Sequence, residues 1–203
     1  MTRTFDGGPS LEDLKELGEL ALRAPSAGFS QGAHLLILVG DDLQRFWQVS
    51  GVGAWFGKTS PGVLEAQSVI LVLADESAYT NRYSEGDKAG HGLEKAENWV
   101  KPMWLTDAAL VTQNLLLLIE EQRWGALLFD LFVEPRNFLM HLRFLQMSIA
   151  PVLSLSAIDT HRINPLALRR NANARRPLIY CTSEPGIPTL RTLWAKKNLG
   201  SQV

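Results

Sequence analysis

The chain has 203 residues, enough for one domain with a sizeable core and too few for two of ordinary size, so a single domain over 1–203 is expected. Lys and Arg number 20 against 21 Asp and Glu, a formal net charge of −1, which excludes an overall field that would draw in nucleic acid or an anionic membrane. The single cysteine, Cys181, excludes an internal disulfide and is expected to be a small buried hydrophobe.

From the N-terminus, residues 2–13 lack the apolar stretch of a signal peptide, so a cytoplasmic location is expected. Leu11, Leu14, Leu17, Leu20 and Ala21 recur every three or four residues, with Ser10 as an N-cap and Asp13 three residues on; the pattern predicts an amphipathic helix. The apolar run 35–39, ending at Gly40, predicts a buried strand. Further strands are predicted at 69–73, 126–129 and 152–157, and their alternation with helical or irregular segments points to a mixed α and β sandwich. Residues 77–102 are polar and glycine-containing, and read as a long loop or a loop with one short helix. A connection this long in a compact domain is usually functional or mobile, so a lid is expected there, with a plain surface excursion as the alternative. Segment 108–119 is the most apolar, yet it falls well short of the ~20 residues of a bilayer span and is interrupted by Thr112, Gln113 and Asn114. It reads as a buried helix, since one apolar on most of its circumference belongs in a core or an interface.

Residues 23–32 read Arg23-Ala24-Pro25-Ser26-Ala27-Gly28-Phe29-Ser30-Gln31-Gly32. Within them Gly28-x-Ser30-x-Gly32 matches the elbow of a serine hydrolase, with Ser30 as nucleophile. That elbow leads out of a strand into a helix, whereas the predicted order here is helix, turn, strand. Of the later histidines, His91, His141 and His161, none stands in a context that marks a triad base, and a Ser30 hydrolase is a remote alternative.

The same residues resemble the Ala-Pro-Ser-x-x-Asn-x-Gln signature of the nitroreductase family of FMN-dependent oxidoreductases, where it also lies between a first helix and a first strand. The resemblance covers most of the chain, in order. Arg3-Thr4-Phe5 is similar to the end of the family's Arg-rich N-terminal signature, 65–75 to its second core strand, and 104–132 to its long central helix and flavin-facing strand. Residues 150–158 resemble the last sheet strand, and Arg175-Arg176-Pro177-Leu178 the basic C-terminal segment. Tyr83-Ser84-Glu85-Gly86-Asp87-Lys88-Ala89-Gly90, before Trp99, is similar to the middle insertion of a short actinobacterial-type branch.

This resemblance implies an α+β, nitroreductase-like sandwich whose central mixed, mainly antiparallel sheet is flanked by helices, in an intertwined homodimer with FMN at the subunit interface. It assigns cofactor contacts to Arg3, near the ring or ribityl chain, and to Pro25, Ser26, Ala27, Gly28, Phe29 and Gln31. Leu128, Phe129 and Asp130 would present backbone to the reactive edge of the isoalloxazine, and Arg175 and Arg176 would serve the phosphate. The residue types suit these tasks. Small residues let backbone approach a ligand, Ser26 and Gln31 donate or accept hydrogen bonds, and arginine offers a planar, charged fork to phosphate. By composition alone, Arg169, Arg170, Arg175 and Arg176 would be a solvated basic loop.

The implied activity is hydride transfer from NADH or NADPH, through FMN, to an electrophilic small molecule such as a nitroaromatic, quinone or enone. No acid, base or nucleophile is assigned, because the cofactor carries the redox chemistry. Three departures keep a second reading open, a non-redox dimer that binds or sequesters flavin or has lost it. Arg123 and Trp124 replace small or aliphatic residues, Asp130 stands where glycine is common, and the N-terminus starts too late to carry the upstream arginines of the family signature, while Phe29, at the asparagine position, exchanges an amide contact for an aromatic surface. A carboxylate beside a ring that becomes anionic opposes reduction unless it is protonated or turned away. No metal site is expected, since His34, His91, His141 and His161 lack ligand spacing, and no P-loop or dinucleotide fingerprint occurs. Trp55, Trp99 and Trp104 are read as packing or as ligand-stacking surfaces.

Overall fold

Ser10 opens the first helix through a reciprocal cap: its Oγ accepts from the Asp13 N–H at 3.2 Å while the Asp13 carboxylate accepts from the Ser10 N–H at 3.1 Å. The computed structural model describes residues 2–131 and the backbone of 149–157 and 179–181. Its elements are α1 (Leu11–Ala21), β1 (Ala33–Val39), α2 (Gly40–Val49), α3 (Val52–Thr59), β2 (Ser68–Asp75), α4 (Glu76–Tyr83), α5 (Met103–Glu121), β3 (Ala126–Phe129), β4 (Ile149–Ala157) and β5 (Ile179–Cys181).

The five strands form one sheet in the order β3-β4-β2-β1-β5, antiparallel except for the parallel β1/β5 pair. It is the mixed, mainly antiparallel sheet expected. β5 is the addition, three residues long and too short to stand out beside its charged neighbours. The β2/β4 ladder slips between Val72 and Leu73, opposite Leu153 and Pro151. Proline has no N–H to give a ladder, and a bulge beside it accommodates that loss.

β1 and β2 are apolar on both faces because both are covered. Leu36, Leu38, Val69, Leu71 and Leu73 face α2 and α3, where Phe46, Trp47 and Phe56 form an aromatic core with Phe5 and Val63. Leu35, Ile37, Ile70, Val72 and Ala74 face the other way, onto Leu14, Leu17 and Ala21 of α1 and Ala108, Val111, Leu115 and Ile119 of α5. Alternation along each strand thus builds two cores from one sheet.

The helix expected at 108–119 lies within α5. α5 buries one stripe, and its other side leaves Leu110 41% and Leu117 60% exposed. Among the described residues, no helix is long and apolar enough to cross a membrane. Arg123 closes α5 in the left-handed conformation, φ 58°, its N–H bonded to Glu120 C=O at 2.9 Å and the Trp124 N–H to Ile119 C=O at 3.1 Å. Trp124 then packs on the α1/α5 core, which gives both departures before β3 a structural role.

Segment 77–102 contains most of α4 and a single 3-10 turn, Ala96–Asn98. Trp99 fastens it: its Nε1 donates to Leu93 C=O at 2.8 Å, and its ring meets Tyr79, Tyr83 and Trp104 edge-on at 6.0, 4.8 and 6.0 Å. Trp99 and Trp104 are therefore packing residues. Trp55 is half exposed on α3, its ring 4.9 Å from that of Phe56.

Candidate functional site

The turn between α1 and β1 is the most constrained backbone in the described chain. Ala27–Phe29 forms a 3-10 turn in which Gly28 has φ 60°, and Phe29 and Gln31 follow with φ 60° and 54°. Glycine adopts that conformation freely, whereas side-chain-bearing residues cost about 1–3 kcal/mol each and persist only where surroundings over-determine them.

The surroundings do so. Inside the turn, Ser26 Oγ accepts from the Gln31 N–H at 2.9 Å and Ser30 Oγ donates to Ala27 C=O at 2.7 Å. From α5, Asp107, 3% exposed, accepts through Oδ2 from the Ala27 N–H at 2.8 Å and from the Tyr79 hydroxyl at 2.7 Å. From α4, Arg82 Nε donates to Gly28 C=O at 2.9 Å. Two glycines seat the turn on tyrosine rings: a Cβ at Gly28 would lie 2.6 Å from Tyr83, and one at Gly32 would lie 2.5 Å from Tyr79 and 2.6 Å from Asp75 C=O.

Arg82 also binds both carboxylate oxygens of Asp87 at 2.7 Å and Glu85 at 2.9 Å. Those hydrogen bonds from Arg82 draw the Asp87 carboxyl down to about 2, and the bonds from Asp87 push the guanidinium above its ordinary range. The pair is solvated, so it fixes geometry more than it adds stability.

Asp75 caps α4, accepting from the N–H and hydroxyl of Ser77 at 2.9 and 2.6 Å, and lies 3.9 Å from His34 Nε2. Burial alone would raise its pKa, but the nearby His34 and the Ser77 hydrogen bonds outweigh that and hold it below 3.8. A depressed pKa stabilises the fold above the ordinary value, and that contribution is lost as pH falls through the folded value. Unfolding by urea at about pH 5 and about pH 3 is therefore expected to show a smaller acid loss in Asp75→Asn than in the wild type; equal losses would remove Asp75 as the titrating cap.

Of the residues proposed from sequence, Pro25 and Phe29 are exposed on the turn, Phe29 to 70%, while Ser26, Ala27, Gly28 and Gln31 are half-buried in it. Ser30 is spent on its own turn, and the order α1, turn, β1 is the reverse of a nucleophile elbow. Arg3 sits elsewhere, exposed, with Nη1 3.4 Å from Ser60 Oγ and with the neighbouring Thr2 N–H on Ala126 C=O. Leu128 packs toward α1 and α5, and Phe129 joins the aromatic core, 5.2 Å from Phe56. Asp130 is exposed, and its Oδ1 accepts from the Leu131 N–H at 2.8 Å. Arg169, Arg170, Arg175 and Arg176, like His141 and His161, lie outside the described residues, as does the side chain of Cys181.

Among the described residues, one copy of the chain does not gather those proposed from sequence. The turn leads into Ala33, at the sheet end where Ala33 pairs with Ala74; Arg3 lies toward the opposite end, where Ser68 and Ala126 both pair with Ala157. β2 and β4 separate β1 from β3, three strand spacings or about 14 Å.

Sequence reasoning missed Asp107, Tyr79 and Arg82. A signal for Asp107 was present: residues 107, 111, 115 and 119 form one stripe at helical spacing, and an acid in an apolar stripe marks a buried, partnered carboxyl. Tyr79 and Arg82 fell in a segment read as loop.

The chemistry of the turn fits a flavin ring edge and ribityl chain. Ser26 keeps its hydroxyl proton to donate, the Gln31 carboxamide takes part in none of the bonds that hold the turn, and Phe29 adds an exposed aromatic face.

No family model matches the sequence, and no curated protein does. Solved structures do match. The nitroreductase CinD from Lactococcus lactis, in complex with chloramphenicol, is 17% identical with a TM-score of 0.61, over 83% of this chain and 88% of that one. CLA-ER, an enone reductase of gut-bacterial fatty acid saturation, is 18% identical at 0.59, over 83% and 87%. A nitroreductase-like protein of Exiguobacterium sibiricum in complex with FMN is 18% identical at 0.58, over 83% and 88%. The α+β architecture, with its mainly antiparallel sheet between two helical layers, is thus the nitroreductase fold.

Proposed function

We propose that this protein is a cytoplasmic FMN-dependent oxidoreductase that takes hydride from NADH or NADPH and delivers it to an electrophilic small molecule such as a nitroaromatic, quinone or enone. The observation that carries the reading is the braced turn 25–31 at the start of β1 in a nitroreductase fold, with Ser26 and Gln31 able to meet a flavin. The structural neighbours support it: one is in complex with FMN, one with chloramphenicol, and one is an enone reductase.

FMN, when bound, supplies the hydride relay between donor and acceptor. This chain's residues bind, orient and exclude water. The turn residues Pro25, Ser26, Ala27, Gly28, Phe29 and Gln31 would hold the ring and ribityl chain, Arg3 would add a cation, Leu128, Phe129 and Asp130 would border the reactive edge, and Arg175 and Arg176 would bind phosphate. Arg3 and β3 lie far from the turn within one chain, so the reading calls for a homodimer in which a second copy completes each pocket. The apolar face of α5 at Leu110 and Leu117 is the surface such a dimer would bury. Residues 77–102 would form the lid of the single domain, and cleavage between Tyr79 and Trp99 by a protease is expected to slow when FMN and acceptor are bound; an unchanged rate counts against a lid.

Absorbance of the purified protein, with FMN added if it is colourless, before and after anaerobic NADPH and NADH, tests the function. A flavin spectrum that bleaches is expected. Absence of binding would overturn the proposal. Bound flavin that stays oxidised would select the second reading, a non-redox flavin binder. Asp130 favours that reading, since a carboxylate bordering the ring would oppose its reduction; in the single chain it is exposed, its Oδ1 accepting from the Leu131 N–H at 2.8 Å.

A further inference from the structure

We propose that Asp107 and Arg82 are positioning residues for flavin binding, pre-forming the turn 25–31 before any cofactor arrives. The inference rests on the FMN reading above and names how that site is built.

Asp107 stands in the α5 stripe that otherwise carries Val111, Leu115 and Ile119 into the core. An apolar residue there would avoid the desolvation of a carboxyl group, so the acid is best accounted for by the two donors it serves. One of them, the Ala27 N–H, opens the 3-10 turn, and the other, the Tyr79 hydroxyl, belongs to the ring on which Gly32 rests. Arg82 fixes a second peptide group, 28–29, through Gly28 C=O and is itself held by Asp87 and Glu85. Between them the two side chains clamp the 26–27 and 28–29 peptides of a backbone in which Phe29 and Gln31 are held left-handed. Released from the clamp, the turn would relax toward commoner conformations, and a ligand would have to bear the cost of re-forming it.

Asp107→Ala and Arg82→Met, with Asp107→Asn as the conservative variant, are to be titrated with FMN by fluorescence, while exchange of the Ala27 amide proton is followed in cofactor-free protein. Asp107→Ala is expected to weaken FMN binding about tenfold, the scale of one lost hydrogen bond, and to speed Ala27 exchange. Asp107→Asn, which keeps an oxygen acceptor, is expected to stay within about threefold of the wild type. Arg82→Met removes a part-exposed side chain outside both hydrophobic cores and should give the same signature at smaller amplitude, so the proposal remains testable if Asp107→Ala fails to fold. Wild-type FMN affinity in both Arg82→Met and the folded Asp107 variant, or unchanged Ala27 exchange, overturns it. A wild-type protein that takes up no FMN overturns the flavin reading instead, and the exchange contrast then decides alone whether Asp107 anchors the turn.

Discussion

Gly32→Ala is expected to cost about 2–3 kcal/mol of stability and to weaken FMN binding by more than about tenfold. The added methyl would meet the Tyr79 ring at 2.5 Å and the Asp75 carbonyl at 2.6 Å. Neither can retreat easily. Tyr79 is fully buried with its hydroxyl on Asp107, and Asp75 ends β2 with its N–H on Gly32 C=O at 2.7 Å. The backbone of the turn must yield, carrying Ser26 and Gln31 with it. Urea unfolding and an FMN titration on the same preparation check both halves. Stability lost with FMN affinity intact would place the flavin contacts elsewhere.

Phe46→Ala is expected to produce the larger loss of stability, about 4 kcal/mol, with FMN affinity within about threefold of the wild type. Phe46 is fully buried on α2, 4.9 Å from the Trp47 ring and 6.4 Å from that of Phe129. Its removal leaves a cavity among rigid rings, which close poorly around it. Against a total stability of roughly 5–15 kcal/mol this is severe, yet it acts on the sheet face away from α1 and α5. Chemical denaturation measures the loss, and a simultaneous drop in FMN affinity would tie the α2/α3 core to the site. The two variants together separate damage to the fold from damage to the turn.

Much of the fold was legible because its signals are local. Ser10 and Asp13 announce a cap within one helical turn, and runs such as 35–39 and 69–73 are too apolar to lie anywhere but between two covering layers. α2 and α3 were less so, since Gly51, Gly53 and Gly57 break a continuous helical pattern there. The site was legible only as a turn. Its braces, Asp107 and Arg82, lie 80 and 54 positions from the backbone atoms they hold, and no periodicity or spacing links residues that far apart. The exposed face of α5 marks a related limit: apolar composition states that a helix wants to be covered, and not by what.

The braces at Asp107 and Arg82 also set an order of events. A ring of contacts closed across 80 residues forms only after the intervening chain has been brought together, and such closures come late in folding. The segment 23–32 carries bonds of its own, from the Gln31 N–H to Ser26 Oγ and from Ser30 Oγ to Ala27 C=O, but its outer braces come from distant elements. The turn is fully braced only once α4 and α5 have docked against it, so the rate of flavin uptake during refolding is expected to follow that docking.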